Sequence, residues 1–210
     1  NVVNPTAGST NVLVSGVMGG AFSLTKSGSG TLTLQGANTI SSTVAVTGGT
    51  LNLSGANGAI ASSTGITLSN GGALTLANTS TANNGNRIAG TFAMNGGTLN
   101  FTNNQGAVNY TETTGALSVG GGINTIATGQ AASGQTSILI FGSLARTAGT
   151  LNFTGTGLGT TVDTKNEIRF TTAPTLTNGI IGTWATVNGT DFATTTGANN
   201  SIIAYTAYTD

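Results

Sequence analysis

The sequence predicts an all-β chain wound as a right-handed parallel β-helix of roughly nine coils. Three observations predict it. A five-residue phrase, glycine followed by a short strand with apolar residues at alternate positions, returns along the chain. Gly-Gly and Asn-Gly corners recur between strands. Charge is nearly absent: five Lys and Arg and five Asp and Glu stand among 210 residues that include 34 Gly and 2 Pro. Abundant Thr, Val, Ile and Leu with so few charges favours strands joined by turns and not disorder, which needs high net charge and few apolar residues.

The clearest copy of the phrase is Gly49-Thr50-Leu51-Asn52-Leu53. On a strand, Leu51 and Leu53 point to one face and Thr50 and Asn52 to the other. The leading apolar residues of the copies are Leu32, Leu51, Leu74, Leu99, Leu117 and Leu151, at steps of 19, 23, 25, 18 and 34. Stacked about 4.8 Å apart, they would form one interior column, with Leu34, Leu53, Leu76, Phe101, Val119 and Phe153 as its neighbour. The longest step hides an extra turn at Ser137–Phe141. A second strand precedes each glycine corner, as in Thr43–Thr47, Gly65–Ser69 and Thr91–Met94. Positive φ is expected at the Asn-Gly corners Asn57, Asn70, Asn84, Asn95, Asn178 and Asn188. An antiparallel β-sandwich, of the kind found in adhesins, also uses Asn-Gly turns. It gives no reason for one phrase to recur once per coil.

The N-terminal stretch carries Val12-Leu13-Val14 and Ala21-Phe22-Ser23-Leu24, both strand-like. Residues 1–160 form the regular coils. Residues 161–210 are final coils with an aromatic-rich segment, either a cap or a junction with another module. Trp184, Phe192, Tyr205 and Tyr208 belong to it. Val12 and Val14 at one end and these four aromatics at the other are the candidate assembly residues. Asp163, Lys165, Glu167 and Arg169 alternate in sign on one face of a strand, opposite Val162, Ile168 and Phe170, and predict a solvated row of local pairs.

Chemistry is sparse. Cysteine and histidine are absent, so disulfides, thiolate zinc and histidine bases are excluded. Asp163 and Glu167, the closest acids, would lie about 13 Å apart on a strand, too far for a glycosidase pair. Gly120-Gly121-Gly122 lacks the aspartate of a calcium β-helix turn and the Lys-Ser/Thr of a phosphate loop. No catalytic residue, cofactor or metal site is therefore expected. A balanced charge of this size builds no basic face, which argues against nucleic acid and anionic membrane. No apolar run reaches the roughly 18 residues of a spanning helix. The candidate binding face is the outward row Thr31, Thr33, Asn52, Thr75, Asn100 and Asn152, an uncharged array suited to carbohydrate or ice.

Residues 28–39, Gly-Ser-Gly-Thr-Leu-Thr-Leu-Gln-Gly-Ala-Asn-Thr, followed by Val46-Thr47-Gly48-Gly49-Thr50-Leu51-Asn52-Leu53, resemble the autotransporter-associated β-strand repeat. The segment 180–208 is similar to stretches found beside such repeats in large bacterial surface proteins. Ile40 departs from the family, which usually has an aromatic there, and later coils lose the Gly-Ala-Asn phrase. The resemblance implies a β-helical passenger or stalk, extracellular or on the bacterial surface, without catalytic residues. With the stacked columns and near-zero charge, it leads to a non-catalytic structural module associating end to end, with identical subunits or neighbouring repeats. An adhesive module using the Thr/Asn face is the alternative.

Overall fold

The computed structural model describes residues 2–3, 11–79, 84–103, 109–129, 135–160, 166–197 and 199–208, and among them there is no helix. The chain winds in successive turns. The first contributes β1 (Val2–Val3), β2 (Val12–Val14) and β3 (Gly19–Gly20). The second contributes β4 (Leu24–Ser27), β5 (Thr31–Leu34) and β6 (Thr39–Ile40), and the third β7 (Thr43–Val46) and β8 (Thr50–Leu53). β9 (Gly65–Ser69) and β10 (Ala73–Asn78) follow, then β11 (Thr91–Asn95), β12 (Thr98–Asn103) and β13 (Tyr110–Thr113). The next two windings hold β14 (Leu117–Gly121), β15 (Ile123–Gly129) and β16 (Ser137–Phe141), then β17 (Leu144–Arg146), β18 (Thr150–Thr154) and β19 (Asn166–Phe170). β20 (Ala185–Val187), β21 (Asp191–Thr195) and β22 (Ile202–Ala204) close the chain.

Two long sheets run the length of this β-solenoid. One has the order β1-β4-β7-β9-β11-β14-β17, the other β2-β5-β8-β10-β12-β15-β18-β20-β21-β22. A third, β13-β16-β19, widens the later windings. Every pairing up to β20 is parallel, which excludes the sandwich. The coil count falls below the expected nine. The longer sheet has eight parallel rungs, and then β21 and β22 pair antiparallel. At about 4.8 Å per rung the parallel part spans roughly 34 Å.

The predicted columns hold through the first half: Leu32, Leu51, Leu74 and Leu99 are in register, as are Leu34, Leu53, Leu76 and Phe101. All eight are buried. Leu117 and Val119 do not continue them. They lie in the other long sheet, in register with Phe92 and Met94. The reason is physical: alternation tells inside from outside but is the same on every wall of the tube. Ile126 and then Phe153 follow Leu99 in its column, and Leu151 instead lies over Asn124. The Ser137–Phe141 strand belongs to the third sheet and not to an additional rung of the longer one. There Phe141 stacks on Phe170 at 5.7 Å, and Phe153 meets Phe170 edge-on at 6.3 Å.

Corners follow the expected chemistry in part. Asn70, Asn178 and Asn188 have positive φ, whereas Asn95 extends β11 and leaves the left-handed turn to Gly96 (φ 89°). Gly49 (φ 61°) is required twice over. Its backbone is left-handed, and a Cβ there would strike the carbonyl oxygens of Gly28 and Gly30. Buried asparagines tie windings together. Asn124 accepts from the Gly96 and Gly97 N–H groups at 2.8 and 3.2 Å and donates to the carbonyls of Gly121 (2.8 Å) and Thr150 (3.0 Å).

Candidate functional site

The candidate binding residues sit on the outer surface of the longer sheet. Thr33, Asn52, Thr75 and Asn100 form one outward column, which continues through Ala127 to Thr154. Thr31 heads the adjacent column, Thr31-Thr50-Ala73-Thr98-Thr125-Asn152. All six predicted residues are half-buried, because each is shielded by the rungs above and below. Asn52 donates to Thr33 Oγ1 at 3.4 Å, a weak ladder contact. Asn152 is already engaged: its Oδ1 accepts from Thr186 Oγ1 (3.1 Å) and the Gly189 N–H (2.9 Å).

The candidate assembly residues divide between the ends. Val12 and Val14 are in register with Leu32 and Leu34, so they top the two interior columns. No described side chain covers them fully: Val12 is 41% exposed, and Leu13, Val17 and Phe22 are exposed beside it. At the other end, β21 runs back along β20 and β22 along β21. The hairpin crosses to the third sheet, where Ser201 bridges Arg169 and the Phe170 N–H donates to the Asn200 carbonyl. Ala193 and Ile202 are buried beneath it. Tyr205 and Tyr208 meet edge-on at 5.3 Å, and the Phe192 N–H donates to the Tyr208 hydroxyl at 3.3 Å. Trp184 stands apart, stacked 5.0 Å from the Arg146 guanidinium.

Charge is distributed unlike a solvated row. Asp163 and Lys165 lie outside the described residues. Glu167 and Arg169 do share the face opposite Ile168 and Phe170, yet Glu167 is wholly buried. Its Oε2 accepts from Arg169 Nε at 2.6 Å and from Ser201 Oγ at 2.9 Å, so the C-terminal hairpin covers what alternation alone places outside.

Three further buried charges are marked by no motif in the sequence. Lys26 occupies an interior position beside Val46 and donates to the carbonyls of Ser27 (3.0 Å), Gly28 (2.8 Å) and Gly48 (3.0 Å). Desolvation lowers its pKa. Arg87, fully buried, gathers the carbonyls of Gly55 (2.8 Å), Ala77 (2.9 Å) and Gly58, with Nε on Asn78 Oδ1 at 2.9 Å. Glu112, also buried, accepts from the N–H groups of Arg87 (3.0 Å) and Ile88 (3.1 Å). Burial raises its carboxyl to about 7, against the opposing pull of those two N–H groups and the guanidinium. The available signal was parity: Lys26 alternates with Leu24, and Glu112 with Tyr110. Each buried ion satisfies main-chain groups that a corner leaves unpaired, a structural use of charge. Among the described residues no group of three or more His, Cys, Asp or Glu could hold a metal.

The fold places the molecule among β-solenoids. Residues 24–53, the second and third windings, match the family model of the passenger-associated-transport-repeat. The resemblance seen at residues 28–53 is thus borne out over that segment. The chain matches no curated protein and no solved structure significantly.

Proposed function

We propose that this chain is a structural module of the passenger part of an exported bacterial protein, working outside the cell as a stiff spacer and associating end to end. One observation carries the reading: an uninterrupted parallel ladder whose first winding leaves apolar column positions uncovered, while its last is closed by a reversed hairpin. A solenoid end of that kind is completed by another winding of like register. Stacking therefore takes place at the Val12 end, against neighbouring coils of a longer chain or a second copy. The passenger-associated-transport-repeat match at residues 24–53 supports the extracellular placement. The Thr/Asn face is less supported as a binding surface, because Ala73 and Ala127 interrupt its columns and Asn152 is occupied within the molecule.

Analytical ultracentrifugation and electron microscopy of the purified chain test this. Concentration-dependent association that Val12→Lys abolishes is the expected result. Dispersed monomers at the highest attainable concentration would reject the end-to-end part of the reading.

A further inference from the structure

The sheet that begins with β1 stops at β17, one rung before its neighbour, which continues into β20. Among the described residues no strand takes the missing place. Thr171 and Thr172 still bond to the carbonyls of Phe141 and Gly142, but the backbone then swings away and returns only near Ile181. A cleft of about 240 Å³ remains, lined by Leu144, Arg146, Pro174, Thr175, Ile181 and Trp184.

Three properties of this cleft converge. First, β17 is an open parallel edge. Ser143 and Thr147 bond to β14, through the Leu117 N–H and the Val119 carbonyl, so alternation turns the main-chain groups of Leu144 and Arg146 towards the cleft. Second, Arg146 ends an interior column that runs Lys26-Val46-Leu68-Met94-Val119-Arg146. With no described rung above it, Arg146 is exposed. Its Nε donates to the Gly149 carbonyl at 2.9 Å and its plane rests on Trp184, while its two Nη groups bond to no described residue. Third, Leu144 and Ile181 give the cleft an apolar wall two positions from that cation.

We propose that this notch is a docking site for an extended acidic peptide segment, which adds the missing rung by β-strand addition. The required pattern is an apolar residue, any residue with a free N–H, then Asp or Glu. The apolar side chain rests on Leu144 and Ile181. The middle residue donates to the Leu144 carbonyl and accepts from the Arg146 N–H, and the carboxylate meets the guanidinium fork. Main-chain pairing favours peptide over an acidic sugar, which has no such alternating donors and acceptors.

The sole tryptophan of the chain borders the site and serves as the probe. Titration with acetyl-Thr-Leu-Thr-Asp-Thr-amide should give a saturable change in Trp fluorescence, checked by calorimetry. Replacing its Asp with Asn should weaken binding about tenfold, the scale of one charge-assisted pair. Replacing its middle Thr with Pro should abolish binding, by removing the N–H. Arg146→Gln, shown folded by its thermal unfolding, should bind the Asp and Asn peptides equally. Absence of saturation at millimolar peptide, equal binding of the Pro peptide, or equally tight binding of trigalacturonate would each overturn the proposal.

Discussion

At its first winding the rod leaves Val12 41% exposed at the head of an interior column, whereas at its last Ala193 and Ile202 are fully buried under a hairpin. Neither end keeps the alternation of apolar and polar residues: β2 reads Val-Leu-Val and β22 reads Ile-Ile-Ala. What differs is strand direction. A parallel rung repeats the interior columns of the rung before it and so invites another. Once β21 reverses along β20, the outermost strand no longer presents those columns in register. Direction, more than hydrophobicity, decides where a solenoid stops.

The largest effect is expected between the two ends. Arg87→Ala leaves the carbonyls of Gly55, Gly58 and Ala77 and the side chain of Asn78 without their donor, at a cost of about 4 kcal/mol. Calorimetry should then resolve two transitions, one for each half, because the tie across several windings is gone. A single unshifted transition would show that the ends are coupled through the ladder alone. At the closed end, Ile202→Ala should cost about 3 kcal/mol in chemical denaturation. It should leave association unchanged, because the reversed strand direction at that end is kept.

Titration sharpens the comparison through the middle of the rod. The folded Glu112 carboxyl, at about 7, lies above its ordinary value of 4.5, so the native state holds this proton more tightly than the unfolded chain. Its contribution is fully present below about pH 4.5 and is lost as pH rises through 7. Glu112→Gln should flatten stability over that window, measured as denaturation midpoint against pH. The smallest effect belongs to the open end: Leu13→Ala should change monomer stability by less than about 0.5 kcal/mol while weakening association.

Local alternation made much of this architecture legible. Leu51 and Leu53 announced their column, and Leu74 and Leu76 extended it. Leu117 pairs on the other wall, and a two-residue period carries no information about which sheet a strand joins. The burial of Glu167 depended on Ser201, 34 residues later, and no local pattern encodes that cover. The Arg146 notch is equally hidden, since it arises where the described strands of one sheet stop a rung before those of the other. Trp184, Phe192, Tyr205 and Tyr208 were visible as a cluster in sequence, but the fold separates Trp184 from the other three.

Asn124 has a mechanical consequence. One amide grips the windings before and after its own at once. Under tension along the rod axis, adjacent turns cannot peel apart bond by bond at that corner: several hydrogen bonds must fail together. A cable made of such turns would yield last where an asparagine is sewn through three of them.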